Sequence, residues 1–115
     1  MLKIAREENQ YRVELFQVNR LNTLFSELVK AQLKELVEEP GISVIFNLEG
    51  IMFIDSSGFN VLRTVSEYAR QHGSEFKLCN VTADVKELMV LLELEGELAF
   101  CTCVPAREKI LVVLD

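Results

Sequence analysis

The chain has 115 residues, of which half are hydrophobic and 26% are charged, and its formal net charge is −6 at pH 7. This length and balance predict one domain, residues 1–115, whose core needs neither a metal ion nor a disulfide. The negative charge argues against nucleic acid as a partner, because that binding requires Lys and Arg to neutralise phosphates. No apolar run approaches the roughly 20 residues that span a bilayer, and no signal peptide is recognisable, so we expect a cytoplasmic protein without membrane insertion.

The cysteine pattern gives no indication of a metal site. Cys79, Cys101 and Cys103 are odd in number and lack paired spacing, and His72 is the only histidine. Each cysteine lies in or beside an apolar segment, so we predict buried, reduced thiols. We expect no metal and no cofactor.

A hairpin and a helix are predicted in the first third of the chain. Alternating apolar and polar residues predict strands at 2–6 and 11–18, separated by four polar residues. From Asn22 the apolar period changes to three and four, which predicts a helix ending at Pro40-Gly41, with Asn22 or Thr23 capping its first turn. The predicted buried stripe is Leu21, Leu24, Phe25, Leu28, Val29, Gln32, Leu33, Leu36 and Val37.

The middle of the chain predicts a central strand followed by a second helix. Residues 42–48 are nearly continuous in β-branched and aromatic types, which is typical of a strand buried on both faces. Residues 51–54 form a short apolar connector, and a helix is predicted from about Ser57 to Gln71, with Gly73 after its end. Its predicted buried face is Val61, Leu62, Val65, Tyr68 and Ala69.

The last third predicts a further strand, a third helix, a last strand and a tail. The strands are predicted at 75–81 and 99–104, and between them a helix begins after the Thr82 cap and stops at Gly96. Its predicted apolar side is Val85, Leu88, Leu91 and Leu92. The tail at 106–114 fits either a helical stripe or a strand, and the preceding Pro105 favours a helix.

Strands that alternate with helices after an opening hairpin predict one α/β domain. Such an order implies crossover connections and parallel neighbours, beside an antiparallel hairpin. The predicted fold therefore has a mixed central sheet and about four helices, packed mainly on one face.

Exposed chemistry is concentrated at Asp55-Ser56-Ser57-Gly58, where the second helix begins. A nucleophilic serine needs a base, but His72 lies at the far end of that helix, roughly 22 Å away at 1.5 Å per residue, so a catalytic Ser–His pair is excluded. A phosphate-binding loop would need more glycines and a following Lys. A helix cap remains open, as does a binding surface to which Phe59 contributes, although Phe59 could equally lie beneath the strand ends.

Three segments carry a resemblance to a known family: ISVIFNLEG, then FIDSSGFNVL, then FKLCNVTADVKELMVLLEL. In order and spacing they resemble a STAS domain, and more narrowly the bacterial anti-sigma factor antagonists. The resemblance implies a regulatory, non-enzymatic protein whose serine after the aspartate, here Ser56, is phosphorylated by a partner that is both anti-sigma factor and serine kinase. Ser57 is the secondary candidate. The ATP would be bound by that partner.

The resemblance also implies a partner-binding surface. Its residues by position are Asn22, Asp55, Ser56, Ser57, Gly58, Phe59 and Asn60. Asn22 stands where the family usually has an aspartate. The asparagine retains a side-chain oxygen that can cap a helix but lacks the negative charge. We expect a monomer or weak dimer. The alternative is a constitutive STAS scaffold, or a subunit of a signalling or lipid-transport assembly, in which no serine is phosphorylated.

Overall fold

Eight strands and three helices are present in the computed structural model, which describes residues 2–101 and the backbone of 112–114. In chain order they are β1 Leu2–Glu7, β2 Gln10–Leu15, β3 Arg20–Leu21, α1 Ser26–Val37, β4 Ser43–Asn47, β5 Phe53–Ile54, α2 Ser56–Gln71, β6 Glu75–Cys79, α3 Ala83–Leu91, β7 Ala99–Phe100 and β8 Val112–Leu114. The sequence predicted about four helices, and the fourth, at 106–114, is the one that the described residues do not contain.

The main sheet is mixed, as predicted. Its strand order is β7-β6-β4-β2-β1-β8. The strand pairs β2–β4, β4–β6 and β6–β7 are parallel, whereas β1 is antiparallel to both β2 and β8. The predicted hairpin is therefore confirmed, and it places buried Ile4 opposite buried Val13. A second, two-stranded sheet pairs β3 with β5 in parallel.

The helices α1 and α2 pack against each other and over β4 and β6. Alternate residues of β4, Val44 and Phe46, are fully buried, while Ser43, Ile45 and Asn47 between them are half-buried. The strand is thus fully covered on one face only, and the prediction of burial on both faces is wrong. The half-covered face carries the polar residues Ser43 and Asn47, so the alternation was present in the sequence, and Ile45 made the apolar run look continuous.

The structure corrects the predicted start of the first helix and the predicted buried side of the third. The helix predicted from Asn22 begins at Ser26, after a turn, with no side-chain cap on its first residue, and Leu24 is 88% exposed. In α3, Val85 and Met89 are buried, whereas Leu91 is 76% exposed and Leu92 is also exposed. These leucines satisfy the helical period, but none of the elements within residues 2–101 covers them.

The chain end and the cysteines correct two further predictions. Residues 112–114 form a strand on the edge of the sheet beside β1, with Leu2 opposite Leu114, so the helix favoured by the sequence is wrong there. Residues 102–111 lie outside the described residues. Most of the strand predicted at 99–104 and the rest of the predicted tail fall among them. Cys79 is buried and disulfide-bonded, so the predicted reduced thiol is wrong at this residue, whereas Cys101 is a half-buried free thiol. Pairing depends on proximity in the fold, which cysteine spacing does not show.

Candidate functional site

The start of α2 is capped by Asp55, whose extended backbone (φ −87°, ψ −177°) precedes the first helical residue, Ser56. The Oδ1 atom of Asp55 accepts a hydrogen bond of 2.9 Å from the backbone N–H of Gly58. This is the arrangement in which a side-chain oxygen satisfies one of the free N–H groups in the first turn. The aspartate therefore has a structural role, and Ser56 follows it in a defined position.

A second bond network joins Asp55 to a distant part of the chain. Its Oδ2 atom accepts the backbone N–H of Thr23 at 3.0 Å and the Thr23 hydroxyl at 3.1 Å. The same hydroxyl oxygen lies 3.0 Å from Oγ of Ser57. We call Thr23, Asp55 and Ser57 the hydroxyl–carboxylate cluster. The sequence indicated Thr23 only as a cap of the first helix, because its contact with Asp55 spans 32 positions.

Backbone pairing explains why these two segments meet. The strands β3 and β5 place Leu21 beside Ile54, and the carbonyl oxygen of Leu21 then accepts the N–H of Asp55 at 3.1 Å. Gly58 permits the close approach, since a Cβ at this position would lie 2.6 Å from that same carbonyl oxygen and 2.6 Å from Cγ2 of Ile54. The first turn of α2 is therefore fixed against β3, and Gly58 contributes by having no side chain.

The ionisation of Asp55 follows from these contacts. Partial burial opposes the charged form, but hydrogen bonds from Gly58, Thr23 and Ser57 outweigh it and hold the pKa of Asp55 below its ordinary value of 3.8. The carboxylate is consequently charged at neutral pH. A fixed negative charge thus lies beside the serines.

The two serines differ in their surroundings. Ser56 is exposed, and within the described part of the chain its hydroxyl has no hydrogen-bond partner. Ser57 is half-buried, and its hydroxyl is engaged with Thr23. Of the two, Ser56 offers the hydroxyl that an approaching protein can reach.

The other residues of the predicted surface are distributed unevenly around this point. Asn60 is exposed on α2, and Asn22 is half-buried and uses its Oδ1 to accept the N–H of Leu24 at 3.0 Å. Phe59 is 3% exposed and belongs to the core, so of its two predicted positions the one beneath the strand ends is observed. Gly58 is buried as well. Phe59 and Gly58 therefore support the site from within and present little surface to a partner.

Three exposed apolar side chains belong to the two segments that carry Thr23 and Asp55. Leu24 follows Thr23 directly and is 88% exposed, while Met52 and Phe53 precede Asp55 and are each about half exposed, at 48% and 47%. The sequence assigned Leu24 to a buried stripe and the other two to an apolar connector. We refer to Leu24, Met52 and Phe53 as the apolar rim of the site.

The described residues near the serines include neither a histidine that could act as a base nor a cluster of metal ligands. His72, the one histidine, follows the last residue of α2, and its ring Nδ1 lies 2.8 Å from the Tyr68 carbonyl oxygen at the opposite end of that 16-residue helix from the serines. Among residues 2–101 and 112–114 no group of three or more His, Cys, Asp or Glu side chains is arranged to hold a metal ion. Within the same residues no helix has the length and apolarity needed to cross a membrane.

The fold and site define a class of protein: a mixed-sheet α/β domain that presents an exposed serine at the capped start of a helix. The model of the STAS domain matches residues 12–109, and the chain belongs to that family. This confirms the resemblance drawn from the three sequence segments.

Solved structures share the fold at low sequence identity. An anti-sigma-factor antagonist (STAS) domain protein from Planctomyces limnophilus superposes with a TM-score of 0.78 at 16% identity, over 90% of this chain and 91% of that one. The anti-sigma factor antagonist SpoIIAA in its unphosphorylated form gives 0.71 at 16%, over 90% and 89%, and its phosphorylated form, described as a Bacillus cell fate determinant, gives 0.67 at 15%, over 90% and 92%. The murine anion transporter Slc26a9 gives 0.61 at 20%, over 72% of this chain and 14% of the transporter.

Proposed function

We propose that this chain is a cytoplasmic, bacterial anti-sigma factor antagonist that regulates transcription by binding an anti-sigma factor, and that this partner is also the serine kinase that switches it off by phosphorylating Ser56. The observation that carries the proposal is the exposed hydroxyl of Ser56, directly after the Asp55 cap and without a hydrogen-bond partner among the residues that the structure describes. Membership of the STAS family supports it, as does the likeness to SpoIIAA, which has been solved with and without phosphate.

The position of Ser56 accounts for how a phosphate could act without unfolding the domain. Phosphorylation adds about −1.5 to −2 charges at neutral pH, and the first turn of a helix favours negative charge. Repulsion from Asp55, which is already ionised, offsets part of that gain. The larger cost falls on partner binding, because a phosphate at the interface must lose water and oppose any acidic group that faces it.

The proposed contact surface combines polar and apolar groups. Ser56 and Asn60 supply exposed polar groups, with half-buried Asp55, Asn22 and Ser57 behind them. The apolar rim supplies the area whose burial would stabilise a complex. We leave Gly58 and Phe59 out of this surface, because both are buried.

A regulatory role fits the geometry better than an enzymatic one. A serine nucleophile requires a base within hydrogen-bonding distance, and His72 lies beyond the opposite end of a helix that is about 24 Å long at 1.5 Å per residue. In the proposed reaction the partner supplies the ATP and the catalytic base, and this chain supplies the hydroxyl. No cofactor of its own is required.

Phosphorylation of the purified chain tests the proposal directly. Each small ATP-binding anti-sigma protein encoded in the same genome is incubated with the chain and ATP, and the added phosphoryl group is located by peptide mass spectrometry. We expect one phosphate on the wild-type chain and on Ser57→Ala, at Ser56 in both, and only slow phosphorylation of Ser56→Ala, at Ser57. Phosphorylation of Ser56→Ala at the wild-type rate would assign the acceptor elsewhere, and a wild-type chain that no such protein phosphorylates would refute the switch.

A charge at position 56 separates effects on binding from effects on folding. We expect Ser56→Asp to melt within a few degrees of the wild-type chain, because Ser56 is exposed and at a helix start, and to lose affinity for the partner at least tenfold. Ser66→Asp, further along α2, is the matched control and should keep its affinity. Full affinity of Ser56→Asp, or a large fall in its melting temperature, would contradict the mechanism.

A constitutive scaffold is the second candidate function. The fold is also found as part of the transporter Slc26a9, where it makes up a small share of a much longer chain. In that case the Asp55 cap and the apolar rim would serve a permanent contact in a signalling or transport assembly. Partner affinity that is the same for the wild-type chain and Ser56→Asp, together with no phosphorylation, would favour this candidate.

A further inference from the structure

We propose that Thr23 determines which of the two adjacent serines is phosphorylated, by engaging the hydroxyl of Ser57 and leaving that of Ser56 available. The inference rests on the proposed function, since it concerns the choice of acceptor in that reaction. Its basis is the hydroxyl–carboxylate cluster, in which Thr23 touches both Asp55 and Ser57.

The direction of the two hydrogen bonds follows from counting protons. A threonine hydroxyl has one proton to donate, and an ionised carboxylate can only accept. Asp55 is held in its charged form, so the Thr23 hydroxyl donates to Oδ2 of Asp55 at 3.1 Å. The 3.0 Å contact between Thr23 and Ser57 must then use the proton of Ser57. Ser57 therefore donates to Thr23, which donates to Asp55.

This order of hydrogen bonds disfavours phosphorylation of Ser57. A phosphoryl acceptor has to bring its oxygen in line with the transferred phosphate and give its proton to the base of the kinase. The Ser57 hydroxyl is half-buried, and its proton points along the chain of bonds that ends at Asp55. The Ser56 hydroxyl is exposed and free to turn toward a base. Two neighbouring serines of the same chemistry are thus made different by a threonine more than 30 positions away.

Substitution of Thr23 by valine separates the hydroxyl from the rest of the residue. Valine has the same branched shape, and the backbone N–H of residue 23 can still donate to Oδ2 of Asp55, as it does at 3.0 Å in the wild-type chain. The neighbouring strand pair β3–β5 also holds this segment through backbone bonds. We therefore expect Thr23→Val to fold while losing two side-chain hydrogen bonds, the one to Oδ2 of Asp55 and the one that restrains Ser57.

The experiment uses the kinase that phosphorylates the wild-type chain and compares variants that lack Ser56. Ser56→Ala and Ser56→Ala/Thr23→Val are incubated with kinase and ATP, and the phosphate on Ser57 is quantified. We expect roughly a fivefold higher initial rate at Ser57 in the double variant, the factor that corresponds to one ordinary hydrogen bond of about 1 kcal/mol. Ser56→Ala/Thr64→Val is the control. It removes a threonine hydroxyl from α2 two helical turns after Ser57, and it should leave the rate of phosphorylation at Ser57 unchanged. Ser56→Ala/Thr23→Ser, which keeps the hydroxyl, should react at Ser57 as slowly as Ser56→Ala.

The outcomes distinguish this inference from the function on which it rests. A wild-type chain that is not phosphorylated at Ser56 refutes the proposed function, and the choice of acceptor falls with it. If the wild-type chain reacts at Ser56 but Thr23→Val gives no increase at Ser57, the role of Thr23 is refuted while the proposed function stands. An equal increase in the Thr64→Val control would also refute it. Melting curves of all variants check that each one is folded.

Discussion

Replacement of Gly58 by alanine tests how tightly the first turn of α2 is packed against β3. The new Cβ would lie 2.6 Å from the carbonyl oxygen of Leu21, 2.6 Å from Cγ2 of Ile54 and 3.0 Å from Cγ of Leu21, well inside the separations of about 3.5–4 Å at which such atoms attract. Ile54 is buried in the core and its Cγ2 branches directly from Cβ, so this atom has little freedom to move aside. The Leu21 oxygen cannot do so freely, because it accepts the N–H of Asp55 at 3.1 Å.

Two opposing contributions set the size of the effect. In an open helix alanine is favoured over glycine by about 1 kcal/mol. Overpacking at this junction costs about 1–3 kcal/mol, and weakening the bond between Leu21 and Asp55 costs about 1 kcal/mol more. The expected balance is a loss of about 1–3 kcal/mol in the free energy of unfolding, or a fall in melting temperature of roughly 4–12 °C for a domain of this size.

Thermal and urea unfolding followed by circular dichroism measure this loss. Gly96→Ala is the matched control, because no atom of the described residues lies within 4 Å of its Cβ position and its backbone is outside the left-handed region. That variant should be unchanged or stabilised by up to about 1 kcal/mol. If Gly58→Ala melts at or above the wild-type temperature, the close approach between α2 and β3 is not as described.

Three further predictions concern charge, burial and exposure. Because the folded pKa of Asp55 is lowered from 3.8, its stabilising contribution is complete above that value and is lost as the pH falls below it; Asp55→Asn should therefore flatten the acid side of a melting-temperature profile. Phe59→Ala should cost about 3–5 kcal/mol by urea unfolding, against under about 1 kcal/mol for the half-exposed Phe53→Ala, and equal losses would contradict the assigned burial. Leu91→Lys should alter stability by less than about 0.5 kcal/mol, because that leucine is 76% exposed, and a loss of 2 kcal/mol or more would place it in the core.

Local pattern was sufficient for the elements whose interactions are close in sequence. Alternation predicted the hairpin of β1 and β2, and the helical period with Asp55 before it predicted α2 almost to its ends. A helix cap and a hydrogen-bonded turn involve residues only a few positions apart, so the local sequence is sufficient to predict them.

Predictions failed where the deciding partner is distant. Leu24 and Leu91 fit a helical stripe, but burial depends on whether another element covers them, and none of those described does so. Residues 112–114 suited either structure, and the edge of β1 made them a strand. In both cases the same local pattern is compatible with two outcomes that differ only in tertiary contacts.

The sequence by itself determined the α/β class, the STAS family and the position of Ser56 at the start of a helix. Only the tertiary structure decided that Thr23 bonds to Asp55 and Ser57, that Phe59 is in the core, and that Gly58 is required by the closeness of Leu21. Periodicity and capping report interactions within a turn or two of the chain. The difference between the two serines arises from groups more than 30 positions away, which meet only when β3 and β5 pair.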